Sequence, residues 1–285
     1  MKQFGNKTLL SAAVIAAMAF ATTSANAAVF APFTVNEGSV TGTPASTFVA
    51  GKVTGNYIEN VTLKADGTFT TQLLFNAGTF GDINGTTITD SFLTSAAAPG
   101  AAPTNYALYG ILAGSGTFVT TGAGTTFTFT PGGSLTLAID PKNNTTFNTS
   151  ATPGALGNLA INSGNGDDFV IGTGAVVGGD GTLSSSCTPT ATINCGSFGA
   201  NTSLSLTAAG SKFFTAPVPF YNLALTSGQF DNINVTTFGT AQRTTGSLDA
   251  TFAGATSVPE PESIALFGIG LLGLGAGMRR RKQVS

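Results

Sequence analysis

The residues of this chain best suited to chemistry are the aspartates of SGNGDDFVIGTGAVVGGDGTL, residues 163–183. Asp167 and Asp168 stand together after two glycines, and Asp180 follows inside a second glycine-rich turn. Glycine permits the tight turns that carbonyl and carboxylate cages need, and such oxygens are the ligands of a hard cation. Calcium takes about six to eight of them, so Asp167, Asp168 and Asp180 are calcium candidates only within a larger set. The plainer alternative is two glycine turns flanking a strand, and no metal site is assigned. The chain contains no histidine, which removes Ser-His-Asp and Cys-His nucleophiles and the common zinc sites. Two carboxylates would suffice for glycoside hydrolysis. However, Glu37 and Glu59 are the only glutamates before residue 258, and the aspartates of ADGT, GDING and GGDG sit in turn contexts. There is no tryptophan to stack on sugar rings. The chain therefore reads as non-enzymatic, without a catalytic residue or cofactor.

The elements that would position these residues are short segments of period two. GNYIENVTL places Tyr57, Glu59, Val61 and Leu63 on one face, and GTFTTQLLF follows the turn KADG. Residues 52–75 thus read as a β-hairpin bent at Asp66-Gly67. YALYGILAGSGTFVT reads as one long strand, or two, bent at its glycines. TTFTFT and LTLAID flank PGGS and read as a second hairpin, and DDFVIGTGAVV as a buried strand. TSLSLTA, FYNLALTSG, INVTTFGTA and GSLDATFAG alternate as well, while residues 93–105 read as a surface loop or at most one helical turn. Helix start and stop signals are almost absent. The expectation is all-β: an antiparallel β-sandwich or jelly-roll-like body over residues 28–257.

The two ends carry address information. Residues 1–27 combine Lys2 and Lys7, an apolar run and TTSANAA. Ala25 and Ala27 frame the small-x-small site of a signal peptide cleaved after Ala27. Export makes a disulfide the natural reading of Cys187 and Cys195, a small loop contributing about 2.5 kcal/mol. Between residues 28 and 257 lie five cations and eleven acids, a net charge of −6 with no basic cluster. Nucleic acid is excluded as a partner, because it needs clustered Lys and Arg to displace counterions. At the other end, Pro259-Glu260-Pro261 precedes residues 263–278, 16 uncharged residues of which five are glycine. As a helix this segment spans about 24 Å, a short crossing of a hydrocarbon core about 30 Å thick. Arg279, Arg280, Arg281 and Lys282 would hold its end on the cytoplasmic side. Proline on both sides of Glu260 keeps that site extended, as a protease requires.

Val258, Pro259, Glu260, Pro261 and Glu262, the apolar span and the cluster at 279–282, in that order, closely resemble the PEP-CTERM sorting signal of Gram-negative bacteria. The resemblance implies transient anchoring in the inner membrane and processing by an exosortase. Delivery to the cell surface or an extracellular polysaccharide matrix would follow. FAPFTVNEGSV, KVTGNYIENVTL and APVPFYNLALTSGQFDN also resemble segments of the flocculation-associated PEP-CTERM proteins. That likeness implies a matrix role in flocculation or biofilm and association with exopolysaccharide. The alternatives are a carbohydrate-binding module, a glycan-acting enzyme using Asp/Glu pairs, or a calcium-stabilised adhesin. Mass spectrometry of protein collected outside the cell should find residues 1–27 and the last two dozen or so residues missing; an intact chain would reject the sorting reading.

Overall fold

In a β-strand alternate side chains point to opposite faces, and here the apolar faces of eight long strands turn inward around one axis. A computed structural model of the chain describes residues 31–94, 105–148, 159–185, 196–230 and 233–254. The strands are β1 (Phe33–Asn36), β2 (Thr47–Ala50), β3 (Lys52–Leu63), β4 (Thr68–Gly81), β5 (Ala107–Thr121), β6 (Gly124–Asp140) and β7 (Thr146–Asn148). They continue with β8 (Ala160–Ser163), β9 (Phe169–Ser184), β10 (Gly196–Ser203), β11 (Ser205–Leu206), β12 (Phe214–Ala216), β13 (Leu223–Phe230) and β14 (Ala241–Ala253). A single helical turn, α1 (Gly210–Phe213), leads into β12.

Spatial neighbours in the main sheet follow chain order: β3, β4, β5, β6, β9, β10, β13, β14. Each is antiparallel to the next, and β14 returns to β3 with Ala241 opposite Thr62 and Ala250 opposite Val53. The pairing of β9 with β10, from Gly196 opposite Leu183 to Thr202 opposite Val176, leaves the ring without a gap. The body is therefore an eight-stranded up-and-down barrel, not the expected sandwich or jelly roll. The all-β expectation holds. Alternation alone cannot separate the architectures, because each presents one apolar and one polar face per strand.

Barrels of eight strands have an interior just wide enough for side chains to fill. Tyr57, Val61 and Leu63 of β3 face in and are buried with Phe69, Phe127 and Phe198. The rings meet edge to face: Phe69 with Phe127 at 5.6 Å and Phe129 at 5.3 Å, and Tyr57 with Phe198 at 5.3 Å. On β6 the outward neighbours Thr126, Thr128 and Thr130 are exposed. Apolar-in and polar-out is the reverse of a barrel built for lipid. One pole is closed by the small sheet β12-β1-β2, where Phe33 lies 4.9 Å from Phe252 and 5.6 Å from Phe214. A second, smaller core lies outside the barrel. There Phe147 of β7 and Leu159, just before β8, lie over Leu74, Tyr109 and Ala138, and the Leu159 amide donates to Gln72 Oε1 at 2.8 Å.

The hairpin at Asp66-Gly67 is present. Gly67 has φ +82°, and Asp66 Oδ1 accepts from the Thr68 amide at 3.0 Å. YALYGILAGSGTFVT is one strand, with a register shift between Ala113 and Ser115. The expected PGGS turn is not a turn. Strand β6 runs straight through it as a bulge, with Gly133 at φ +73° and its Cα so near the Ala113 carbonyl that a Cβ would overlap it. INVTTFGTA is not a strand either. Asn234 Oδ1 accepts from the Thr236 amide and hydroxyl, Gly239 takes φ +73°, and its amide donates to Leu63 O at 2.7 Å. This local bonding competes with strand pairing, and the loop tucks Ile233 into the second pole.

Inside the barrel, a Cβ on Gly246 would overlap the Gln229 carbonyl and come 2.8 Å from the Tyr57 ring. Gly246→Val should lower stability by about 3 kcal/mol, at the upper end for overpacking, as read by thermal unfolding. Gly122→Ala, where nothing lies within 4 Å, should leave the transition unmoved.

Candidate functional site

Glu59 sits on the inner face of β3, where a small apolar residue would be expected. It is 8% exposed and borders a cavity of ≈ 20 Å³ lined by Val61, Phe69, Phe127, Phe129 and Phe198. The Thr71 hydroxyl donates to its Oε1. Thr244, opposite it on β14, has a buried hydroxyl without a hydrogen-bond partner. Burial in this aromatic chamber pushes the Glu59 carboxyl up from 4.5 to about 7, and the Thr71 bond opposes the rise. Among the described residues lining this cavity, Glu59 has no second carboxylate beside it.

Glu37, Asp140 and Asp168 are structural ties. Glu37 is fully buried beneath the capped pole, where Oε1 accepts from Ser91 Oγ at 2.6 Å, the Phe92 amide at 2.9 Å and Tyr106 Oη at 3.0 Å. Burial first, then the Glu37 charge, drives the Tyr106 phenol well above its ordinary value. Asp140, also fully buried, accepts from the amides of Lys142 at 3.1 Å and Thr145 at 2.7 Å. The Thr145 hydroxyl in turn donates to both Asp168 oxygens, and Tyr109 Oη donates to Asp168 Oδ2 at 2.7 Å. Lys142 Nζ stands 3.7 Å from Asp167 Oδ1. Burial raises the Asp168 carboxyl, against the pull of these hydroxyls.

The three calcium candidates are not brought together. Asp167 and Asp168 belong to this knot, whereas Asp180 lies twelve residues further along, exposed on the outer wall opposite Gly199 and Thr128. At the rise of a strand that is about 40 Å from Asp168, too far for one ion. Among the described residues no group of three His, Cys, Asp or Glu could hold a metal.

The wall itself carries the more regular chemistry. On its outer face Thr117 pairs with Thr128, Ser115 with Thr130, and Thr126 with Thr182. These side chains are exposed, and Thr130 Oγ1 donates to Ser115 O at 3.0 Å. Strand geometry spaces such hydroxyls about 4.8 Å across and about 7 Å along. Asp180, in register with Thr128, adds one carboxylate to the array. The TTFTFT pattern signalled these threonines as outward-facing; their cross-strand neighbours were set only by register.

Both ends of the body leave at the capped pole. Phe33 packs on Phe252, and Tyr221 Oη donates to Pro32 O at 2.9 Å. The signal-cleavage residues Ala25 and Ala27 lie outside the described residues. So do Cys187 and Cys195, and so does the sorting set Val258, Pro259, Glu260, Pro261, Arg279, Arg280, Arg281 and Lys282. Among the described residues no helix is long and apolar enough to cross a membrane. Comparison with family models matches residues 257–282 to the PEP-CTERM protein-sorting motif. No curated protein and no solved structure matches the chain. The β-barrel body is thus followed by a motif that implies export and a membrane-anchored sorting step. That motif implies processing by an exosortase to an extracellular product.

Because its carboxyl binds a proton more tightly folded than unfolded, Glu59 contributes its full stabilisation below pH 4.5. That contribution falls as pH rises from 4.5 and is gone above 7. The loss amounts to about 3 kcal/mol. Glu59→Gln should remove this slope, so that the variant gains on the wild type between pH 4 and pH 8 in denaturant titrations. Parallel curves would show that Glu59 ionises normally.

Proposed function

We propose that the chain is a non-catalytic protein of the cell surface or extracellular matrix that promotes cell aggregation by associating with exopolysaccharide. The observation that carries this reading is the exposed hydroxyl array of β5, β6 and β9, presented by a body that the sorting motif sends outside. Hydroxyls can exchange water for the hydroxyls of a polymer at little desolvation cost. Each such bond contributes about 0.5–1.5 kcal/mol, so holding a polymer depends on many repeats along wall and chain. Multivalency of this kind multiplies weak contacts into retention.

Two features support binding over turnover or transport. The acids that could have formed a hydrolytic pair, Asp140 and Asp168, have their oxygens engaged by Lys142, Thr145 and Tyr109. The apolar cavity in the barrel, lined by Leu73, Phe75, Leu108 and Leu248 among others, holds ≈ 50 Å³. Small-molecule sites usually occupy about 300–1,000 Å³, so the interior suits packing better than carriage of an apolar ligand.

Deleting the gene in the producing bacterium should reduce flocs and leave more exopolysaccharide in solution, and supplying the full chain again should reverse both. Aggregation that does not change on deletion would overturn the proposal.

A further inference from the structure

The barrel has a direction. Pro32 and Gly254 lie at the capped pole, so any tether through the C-terminal motif leaves from there. The opposite pole, where β5 turns into β6 and the loop after residue 232 packs, is the one held away from the attachment. Two adjoining clefts of ≈ 280 and ≈ 300 Å³ open at this far pole. They share Thr121, Gly124, Thr125, Leu183 and Ser184, and Thr120 and Asn234 line the larger one. None of their described lining residues is charged. Thr120 and Thr125 meet hydroxyl to hydroxyl at 2.9 Å. Beside them Phe238 is 46% exposed and stacks at 26° on Phe118, ring centres 6.4 Å apart. Phe118 lies two residues before Thr120 on the same face of β5, about 7 Å along the strand, and the loop that carries Phe238 also supplies Asn234 and Val235 to the larger cleft.

An apolar ring face beside a neutral pocket of hydroxyls matches a sugar residue, which has an apolar C–H face and a rim of hydroxyls. A cleft of this size falls at the lower limit of small-molecule sites, enough for one or two rings of a longer chain. No described residue lining the clefts is a cation, and Lys64, on the neighbouring β3–β4 turn, has the Asp66 carboxylate beside it. We propose that this far-pole mouth is a subsite for a neutral polysaccharide, with Phe238 as the stacking face and Thr120 as a hydroxyl contact. The proposal rests on the exopolysaccharide reading above and gives it a location and a charge class.

The test uses the protein as released into the medium and affinity electrophoresis through gels containing dextran, alginate or the producer's own exopolysaccharide. Phe238→Ala and Thr120→Val should each weaken retardation by a neutral polymer at least about tenfold, as loss of an aromatic anchor does, with unchanged thermal unfolding. Phe238→Tyr should restore it, which a merely structural role for the ring would not require. If both variants bind like the wild type while Thr128→Ala on the wall does not, the mouth is overturned and the matrix role survives. Retardation by alginate alone would overturn the neutral charge class. Wild-type protein that no polymer retards would overturn this proposal and the exopolysaccharide reading together.

Discussion

Everything in this body depends on the ladder between β9 and β10. Without it the main sheet would be an open run with two long edges, each offering unpaired amides and carbonyls to any other strand. The pairing from Gly196–Leu183 to Thr202–Val176 consumes both edges and curls the sheet until its inner faces meet. Closure then dictates the packing. A small barrel admits large side chains only where others withdraw, which is why Tyr57 lies against Gly246 and why Phe198 crowds Gly228. It also fixes what faces water: rows of threonine whose mutual spacing comes from strand pairing and whose exposure comes from the tube having only one outside.

The same closure explains an acid in a phenylalanine chamber. Glu59 occupies an inward position because the alternation of β3 leaves it no other. Thr71 provides one hydrogen bond, and the missing hydration appears as a raised proton affinity rather than as a second partner. Buried acids elsewhere are treated differently. Asp140 and Glu37 receive amide and hydroxyl donors and hold turns and the pole cap in place. Burial thus leaves Glu59 with a raised proton affinity and a single hydroxyl donor, while Glu37 and Asp140 serve as ties.

Local chemistry made part of this legible in advance. The first hairpin followed from Asp66-Gly67 because an aspartate that caps its own turn and a glycine at positive φ need no distant partner. The inner face of β3, Glu59 included, followed from period two. Pro131-Gly132-Gly133 misled because the same residues that make a turn also make a bulge, and only the neighbouring strands β5 and β9 decide between them. Asp180 misled for a related reason: VGGDG lies within β9, with Gly179 at φ +145° giving room to the Gly199 carbonyl. INVTTFGTA alternates like a strand yet is captured by Asn234. Closure and the assembly of the far-pole mouth depend on pairs distant in sequence, which no single segment encodes.

The exit of both chain ends through one pole has a mechanical meaning. If a cell is pulled while polymer grips the other pole, tension enters at Gly254 and runs largely lengthwise along β14 and its neighbours. The cross-strand bonds of an antiparallel ladder lie perpendicular to the strands, so that load shears many of them at once instead of peeling them one after another. A protein strung in this way resists drag as a rivet does, across its whole length.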